Sequence, residues 1–547
     1  MSNNLINTAM SGLSAAQYAL STVGNNISNF QVTGYNRQNA IFAQNGGILS
    51  PAGFIGNGVT ITGINREYNS FISNQLRSAQ TESAGLTTYY NQVSQIDNLL
   101  ANKSNNLSVT LQDFFSNLQN LASNSSDDAA RKTVLGKAEG LVNQFKNADK
   151  YLQDMNNGIN QSINDSATKI NNYAEQIANL NDQITRLRGS SGSEPNALLD
   201  QRDQLVSELN TIIPVSVTQQ DGDAYNVSFA GGLALVQGSE SYNVRAVPSS
   251  ADGTRLTLGY DRGNGSEVAE VDESRISTGS LGGTLKFRSE ALDNARNQLG
   301  QLALAMADSF NQQHEKGFDL QGDAGEKFFN FTQPSTISNS NNTGTGSLNV
   351  TFADSSQVKA SDYSMEFDGT NWQITRLSDK SKIMPKTEAD GSLSFDGLNV
   401  TVGAGAVLGD KFTVKPVSGV ISNLDVAIQD SSKIAAAGSK DGGVGDNTNA
   451  KALLGLQTEK LVDGKATLSG AYAGLVSTVG NQTSTAKVNA TAKVNIVKQL
   501  NMEQQSISGV NLDEEYGDLL RFQQYYLANS QVIQASSKLF DALLAIR

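Results

Sequence analysis

The side chains that could carry out acid–base or metal chemistry are few in this sequence. Its 547 residues include one histidine, His314, and no cysteine. Histidine is the side chain best suited to proton transfer near neutral pH, and cysteine thiolates serve as nucleophiles and metal ligands. The composition therefore excludes multi-histidine metal sites, disulfides, cysteine-ligated zinc and cysteine nucleophiles. Since His314 stands beside Glu315 at the end of an amphipathic pattern, we expect a surface histidine without a catalytic role.

A second candidate is a group of carboxylates in the segment GFDLQGDAGE, which contains Asp319, Asp323 and Glu326. A calcium loop of the EF-hand type needs oxygen ligands at alternate positions, and this spacing does not match that pattern. The glycine-rich segment VGAGAVLG, with Gly403 and Gly405, lacks the helix pattern that follows a nucleotide-binding loop. We therefore expect no ion site in the carboxylate segment, and we interpret the glycine-rich segment as turns.

The segment DQRDQL provides a third group of charged residues, in which Asp200 and Asp203 flank Arg202 within a helical pattern. Charged side chains one turn apart on a helix commonly pair at its surface. We interpret this group as a solvated helix face with local pairing to Arg202. Since no constellation in the sequence predicts a catalytic, cofactor or metal site, the chain is predicted not to be an enzyme.

Length and charge narrow the class of protein further. A chain of 547 residues is long enough for three or four domains, each with its own core. Its net charge of −13 disfavours a general nucleic-acid partner or an anionic membrane surface. We find no apolar run of the roughly 18 residues that a membrane helix needs, and the first residues lack the pattern of a cleaved signal peptide.

The elements that must position any functional surface are two helical segments, one at each end of the chain. In residues 511–547 an apolar residue recurs at every seventh position, which predicts a heptad seam. This first line is Leu512, Leu519, Tyr526, Ile533 and Phe540. We place the second line of the seam at Tyr516, Gln523, Ser530, Ser537 and Leu544. Asn511 is the expected helix cap.

The N-terminal segment carries a matching pattern. One line of its seam is Ile6, Leu13, Leu20 and Ile27, and the other is Ala9, Ala16, Val23 and Phe30. Small alanines on the second line allow another helix to approach closely. Residues 1–36 contain no Asp, Glu, Lys or Arg, which is unusual for a helix that faces solvent. We therefore expect the two terminal helices to pack on each other.

The rest of the chain reads as alternating helical and strand-rich regions, which predicts a multidomain α+β protein. We expect a domain of terminal coiled-coil-like helices from residues 1–65 and 506–547. A rod domain, a bundle of long helices, is expected from 66–330 and 421–505, with a β region at about 213–276. The alternating pattern of residues 331–420 predicts an all-β outer domain inserted into the helical domain.

Several segments resemble known bacterial flagellar proteins. The segment NNISNFQVTGYNRQ, residues 25–38, resembles the N-terminal motif that flagellar rod, hook and hook-associated proteins share. The C-terminal GVNLDEEYGDLLRFQQYYLANSQVIQASSKLFDALL resembles one family within that group, hook-associated protein 1. Interior segments, among them NALLDQRDQLVSEL, DYSMEFDGTNWQITRL and GDNTNAKALLGLQ, resemble the same family. The resemblance extends over essentially the whole chain.

The resemblance implies a structural subunit that polymerises at the distal end of the flagellar hook and joins the hook to the filament. It also implies hook protein and a second junction protein as neighbours, besides other copies of the chain. The implied location is extracellular, in the flagellum, after type III export without a cleaved signal peptide. An export chaperone that recognises the C-terminal region is implied as well, whereas a cofactor, a nucleic-acid partner and membrane insertion are not.

The expected assembly and chaperone surface is therefore the predicted seam. Its residues are Ile6, Leu13, Leu20, Ile27, Leu512, Leu519, Tyr526, Ile533, Phe540 and Leu544. Two alternatives remain open at this point. One is another flagellar axial protein of the hook or filament type, and the other is a secreted fibre or adhesin built on terminal coiled coils.

Overall fold

The computed structural model describes residues 2–50, 53–101, 106–262 and 268–545, and long helices dominate it. The helices are α1 (Ser2–Asn29), α2 (Ser70–Leu100), α3 (Leu107–Ser123), α4 (Asp128–Ser191), α5 (Asn196–Ile212), α6 (Gly279–Phe287), α7 (Asp293–His314), α8 (Thr448–Gly455), α9 (Leu468–Ser508) and α10 (Leu512–Leu544). A π-helical turn, Arg288–Leu292, joins α6 to α7. Among the described residues, no helix is both long and apolar enough to cross a membrane.

The helix ends follow local capping chemistry. The Asn69 side chain accepts hydrogen bonds from the amides of Phe71 and Ile72 at the start of α2. The Asn511 side chain accepts one from the Asp513 amide at the start of α10, as predicted. Gly192 ends α4 with a φ of 65°, a left-handed conformation that costs glycine little.

The helical domain is held together by extensive packing of α2 on α9, of α3 on α4, and of α4 on α5. Where α2 crosses α6, the two backbones touch: a Cβ built on Gly283 would lie 2.2 Å from the carbonyl oxygen of Gly85. Large aromatic side chains fill the far end of the bundle, where Phe114, Phe310 and Phe329 pack with ring centroids 5.5–6.3 Å apart. Burial of these side chains supplies the main driving force for packing the bundle.

The strands form several small antiparallel sheets. In the terminal domain they are β1 (Gln38–Gln44), β2 (Ile48–Ser50), β3 (Gly53–Ile55) and β4 (Val59–Arg66). Beside the helical domain they are β5 (Val215–Gln219), β6 (Tyr225–Phe229), β7 (Leu233–Gln237), β8 (Glu240–Ser241), β9 (Val244–Pro248), β10 (Leu256–Tyr260) and β11 (Ala269–Glu270). The pair β12 (Phe329–Asn330) and β22 (Asp425–Val426) closes the two ends of the insert.

Three asparagines of α4 attach the strands that follow α5, from β5 to β10, to the rest of the helical domain. Asn160, Asn171 and Asn181 follow one another at intervals of 10 or 11 residues, which places them on one side of the helix. Asn181 Nδ2 donates to the carbonyl oxygen of Tyr225, and Asn171 Nδ2 donates to that of Val244. The side-chain amides thus satisfy backbone groups at the sheet edges that face the helix.

The insert is a two-sheet β unit. Its strands are β13 (Ser335–Ser338), β14 (Leu348–Phe352), β15 (Tyr363–Phe367), β16 (Trp372–Arg376), β17 (Lys382–Ile383), β18 (Lys386–Thr387), β19 (Leu393–Phe395), β20 (Leu398–Val402) and β21 (Lys411–Lys415). One sheet has the order β13-β21-β15-β16-β17 and the other β14-β20-β19-β18. Alternate residues such as Tyr363, Met365 and Val400 are buried between the sheets.

These elements confirm the predicted fold class, a multidomain α+β protein with paired terminal helices, a long-helix bundle and a separate β-rich region. The domain boundaries drawn from the sequence stay a prediction.

Candidate functional site

The terminal helices α1 and α10 pack along each other, and this pair is the first part of the candidate site. Its centre is a small apolar cluster in which Ala19 and Val23 of α1 surround Phe522 of α10. The ring of Phe42 on β1 stacks on Phe522 with centroids 5.8 Å apart. Small side chains on α1 thus leave room for one large aromatic residue of α10, and the hairpin β1–β4 covers it.

The predicted seam residues lie mainly along the rim of this contact. Half-buried side chains are Ile6, Leu13, Leu20, Ile27, Leu512, Leu519 and Ile533. Tyr526 and Phe540 are more open, with 36% and 45% of their surface exposed. The side chain of Leu544 lies outside the described part of the chain. Leu20, Ile27 and Leu519 pack directly against the central cluster.

The second seam line predicted for α10 is wrong by one residue. Tyr516, expected in the seam, is 52% exposed, and Gln523 and Ser537 are also exposed. Glu515, Phe522 and Ser536 are buried instead. A heptad alternates steps of three and four residues. The contact takes the three-residue step after Leu512, which brings Glu515 to Asn26 and Phe522 to Ala19 and Val23 of α1. Phe30, predicted to belong to the seam of the N-terminal helix, lies outside the observed contact and is 45% exposed, since α1 ends at Asn29.

A polar joint, formed by Asn26, Arg37 and Glu515, connects the two helices to the loop after α1. Arg37 Nε donates to Glu515 Oε1 at 2.7 Å, and Asn26 Nδ2 donates to Glu515 Oε2 at 3.0 Å. Arg37 Nη1 also reaches Glu514 at 2.7 Å. The backbone amide of Arg37 donates to the carbonyl oxygen of Ser508, the last residue of α9. One loop residue therefore holds the start of α10 and the end of α9.

The same loop is fastened to the helical domain by a second polar cluster. The Asn36 side chain and backbone amide both donate to the Asp200 carboxylate, at 2.6 and 3.0 Å. Arg66 at the end of β4 bridges Asp200 and Asp203. These contacts join the terminal domain to α5, and we call them the α5 clasp.

The α5 clasp corrects the interpretation of DQRDQL as a solvated face. Asp200 and Arg202 are 5% and 1% exposed, and Asp203 is largely buried by Arg66. Arg202 does not pair with its neighbours; its guanidinium lies 3.5 Å over the ring of Tyr225 and donates to Asn181. The partners lie 21 to 164 residues away, so helix periodicity could not reveal them.

Electrostatics keep the joint charged. Burial alone would lower the pKa of Arg37, but Glu515 and then Glu514 outweigh it and raise the pKa above its ordinary value. Burial, together with the negative charges of Asp200 and Glu515, raises the pKa of Tyr35 to about 12. Tyr35 therefore stays protonated and donates its hydroxyl to Asn26 Oδ1 at 2.8 Å. One signal in the sequence pointed here: Arg37 is the first charged residue of the chain, and such a cation needs an acidic partner.

The histidine expected at the surface is in fact fully buried, so that expectation was wrong. His314 Nδ1 lies 2.6 Å from the carbonyl oxygen of Glu326, and its Nε2 accepts from the Ala435 amide at 2.8 Å. Burial lowers the pKa of His314 to about 4. A neutral imidazole with both nitrogens engaged by backbone has a structural role: it ties the end of α7 to residues 326 and 435.

The suspected calcium ligands form a turn. Asp319 accepts hydrogen bonds from the amides of Gln321 and Asp323, and Lys433 pairs with both carboxylates. Across the described ranges, no group of three or more His, Asp or Glu side chains could hold a metal ion.

A buried charge network marks the contact of the insert with the helical domain. Arg255 makes a bidentate ion pair with Asp293 of α7, at 2.7 and 2.8 Å. Asp252 pairs with Lys415 of β21. Asp362, which precedes β15, is buried beside these charges, and within the described part of the chain its Oδ1 has no hydrogen-bond partner. The insert is thus docked through charges that are shielded from solvent.

Replacing Asp362 by Asn is expected to stabilise the protein above pH 6. Burial raises the pKa of Asp362 from 3.8 to about 6, although Lys415 and Arg255 oppose it. A raised carboxyl pKa means that the folded protein binds the proton more tightly, so the contribution of this group to stability is complete below about pH 4 and is lost as the pH rises through 6. The difference between the two pKa values corresponds to at most about 3 kcal/mol. Thermal unfolding of both proteins between pH 4 and 8 measures it.

Asp252→Asn provides the control of opposite sign. Although burial would raise it, pairing with Lys415 lowers the pKa of Asp252 to about 2, so its carboxylate stabilises the fold above pH 4. This variant should lose stability at neutral pH. If Asp362→Asn were no more stable than the parent at pH 7.5, the unpaired carboxylate would not destabilise the docking of the insert on the helical domain.

Comparison with known proteins places this geometry in a class. A model described as flagella basal body rod protein matches residues 6–36, and one described as flagellar basal body rod FlgEFG protein C-terminal matches residues 504–546. These are the two segments that pair as α1 and α10. The class is therefore that of flagellar structural proteins built on paired terminal helices.

The interior of the chain identifies the family. A model of the flagellar hook-associated protein FlgK helical domain matches residues 93–329, and one of the flagellar hook-associated protein 1 D2-like domain matches residues 337–416. The chain is 55% identical to flagellar hook-associated protein 1 of Salmonella typhimurium LT2 and 52% identical to that of Escherichia coli K12, covering 100% of each. It belongs to the family of flagellar hook-associated protein 1 and is a structural protein of the hook–filament junction.

A solved structure supports the same assignment. The flagellar hook junction protein FlgK from Burkholderia pseudomallei is 28% identical and superposes with a TM-score of 0.75. The match covers 80% of this chain and 100% of that one. The resemblance seen in the sequence is thereby confirmed, and the family is structural and not enzymatic.

Proposed function

We propose that copies of this chain polymerise at the distal end of the hook and form the layer on which the rest of the flagellum is built. The observation that carries the proposal is the terminal helix pair, which buries one side of each helix and leaves apolar side chains outside. On α1, Met10 and Tyr18 are 55% and 61% exposed. On α10, Leu520 and Leu527 are 59% and 54% exposed.

Exposed apolar side chains on a helix pair favour burial by further copies. A surface rich in such residues marks a protein interaction site, and each fully buried leucine contributes roughly 1.5–3 kcal/mol. The chain offers different surfaces on its two sides, so contacts between copies are heterologous and generate rings or helical arrays. The absence of charged residues on α1 lets every side of that helix be buried at low cost.

The proposed partners follow from this position in the flagellum. Hook protein lies on one side of the layer and a second junction protein on the other. Before assembly, an export chaperone covers the apolar stripe of α10, which would otherwise invite aggregation. The protein then leaves through the flagellar type III apparatus, without cleavage of a signal peptide, and acts outside the cell. The proposal includes no cofactor, nucleic acid or membrane insertion.

Hooks from a bacterium that lacks the gene for this protein test the proposal. Purified protein is added to isolated hooks, and electron microscopy scores the hook tips for an added layer. We expect added layers at the distal end only, and recovery of filament growth when the gene is restored. Protein that stays in solution with hooks present would contradict the assignment.

Deleting the insert is expected to leave junction assembly intact. The ends of the insert lie close together, since the Thr332 amide donates to the Val420 carbonyl oxygen at 3.4 Å. A short Gly-Ser linker can therefore replace residues 335–415 without disturbing the pair β12–β22. The measurement is the fraction of cells with filaments attached. Loss of filaments despite normal export of the shortened protein would show that the insert takes part in assembly.

A further inference from the structure

The helix α9 presents a basic surface that the fold of one copy does not use. Residues 466–502 contain three lysines and no acidic residue, in a chain of net charge −13. Lys493 pairs with Glu82 of α2 at 2.5 Å. Lys487 and Lys498 are exposed, and Val488 beside them is 64% exposed. We call Lys487, Val488 and Lys498 the lysine face.

The helix α4 presents an acidic surface of similar length. Its outward side carries the exposed residues Asp165 and Glu175, with Lys169 as the one base between them. On the side of Asp165 that faces away from the terminal domain, a groove of about 420 Å³ runs between α4 and α2. It is lined by Tyr151, Asp154, Gly158 and Ser162 among others. A Cβ on Gly158 would meet nothing within 4 Å, so the groove is open there. We call Asp165 and Glu175 with this groove the acidic face.

The two faces belong to different helices with different neighbours. The helix α9 packs on α2, and α4 packs on α3, α5 and the strands β9 and β10. A chain of contacts relates their positions along the helices: Lys493 pairs with Glu82, Thr81 bonds to Asn210, and Tyr173 lies beside Glu208. Lys493 and Tyr173 therefore lie at about the same distance from the terminal domain, measured along the helices, and this distance is the reference level used below.

Helix geometry then gives the match. The helices α4 and α9 both run toward the terminal domain. Lys487 precedes Lys493 by six residues and Asp165 precedes Tyr173 by eight, which places them about 9 Å and about 12 Å above that level. The spacing from Lys487 to Lys498 is about 16 Å, and that from Asp165 to Glu175 is about 15 Å. Both lysines lie a few ångströms nearer the terminal domain than their acidic counterparts, so a shift of about 4 Å between neighbouring copies brings both pairs together.

We propose that the lysine face of one copy docks on the acidic face of the next copy in the junction layer. The inference rests on the proposed function and adds its lateral contact. A second copy is the occupant because the two faces complement each other in charge and in spacing along their helices, and because contacts between different surfaces of identical copies generate rings or helical arrays. Lys487 meets Asp165, and Lys498 meets Glu175.

Charge reversal tests the contact. One variant carries Lys487→Glu and Lys498→Glu, a second carries Asp165→Lys and Glu175→Lys, and a third carries all four changes. Because like charges across an interface repel, each of the first two should fill hook tips about tenfold less at low salt. The third restores the opposite charges and should return to within about threefold of the parent. Lys451→Glu with Lys460→Glu makes the same charge change at other exposed positions and serves as the control.

The outcomes separate the inference from the function on which it rests. If the parent protein does not fill hook tips, the proposed function itself fails. If the parent does but both reversed variants fill tips equally well, or the four-site variant fails although it melts normally, the lateral contact is wrong. Since the chain has no cysteine, Lys487→Cys with Asp165→Cys adds a direct measurement. A short thiol cross-linker should then link copies into ladders in assembled layers but not in dilute monomer.

Discussion

Replacing Arg37 by Glu is expected to detach the start of α10 from the loop after α1 and to abolish stable incorporation at the hook tip. Arg37 pairs with Glu514 and Glu515, and the Glu515 side chain is only 1% exposed. Removing one partner of a buried ion pair leaves an uncompensated charge, which costs roughly 3–5 kcal/mol. The new carboxylate would also face Asp518, which lies 3.7 Å from Arg37 in the parent protein.

Amide hydrogen exchange and hook-tip filling measure this effect together. We expect amides in the first turns of α10 to exchange at least about 100-fold faster, the factor that corresponds to roughly 3 kcal/mol. Arg521→Glu is the matched control, because Arg521 also pairs with Asp518 but is 53% exposed. An exposed ion pair contributes about 1 kcal/mol or less, so this variant should assemble normally. Equal behaviour of the two variants would mean that the joint does not hold α10.

The helix boundaries and fold class were accessible from sequence because they depend on local signals. Heptad spacing predicted α10, and Asn511 marked its start, where its side chain does accept the Asp513 amide. Glycine and polar breaks separated α4 from α5 for the same reason. Capping and periodicity act within a few residues, so one sequence contains all the information they need.

The polar contacts were not accessible in this way. Helix periodicity shows that DQRDQL is helical and which of its residues share a face. It does not show that Asn36 and Arg66, more than 130 residues away, bury its carboxylates. The same limit applies to His314, whose ring is held by backbone groups of Glu326 and Ala435. A buried polar group looks like a surface residue in sequence, because its partner is chosen by tertiary packing.

The seam itself lies between these cases. An apolar line at every seventh residue was enough to orient α10 toward α1, and Leu519 does pack at the contact. The second line depended on α1, where a Cβ on Gly12 would lie 2.5 Å from Asn529 Oδ1. Only the partner helix reveals that Asn529 and Phe522, and not their neighbours, fit opposite its smallest residues.

Replacing Ile533 by Asp is expected to disrupt two successive complexes of the same helix. Ile533 is half-buried beside α1, in line with the more exposed Tyr526 and Phe540. We expect the export chaperone to cover this line in the cell, with anchors at helical spacing, and neighbouring copies to cover it after assembly. Each partner would bury apolar surface here, and a carboxylate forfeits roughly 1.5–3 kcal/mol of that burial in addition to its own desolvation.

Both complexes can be measured on one purified variant. Chaperone affinity in solution should fall about 10- to 100-fold, as the lost burial predicts, and externally supplied protein should no longer fill hook tips. Gln534→Asp places the same charge at the next position, where the side chain is exposed, and should change neither result. If both properties of Ile533→Asp match the parent, the seam is not the shared surface. If only tip filling fails, the chaperone binds a different face of α10, because a charge on the shared line would have to weaken both contacts.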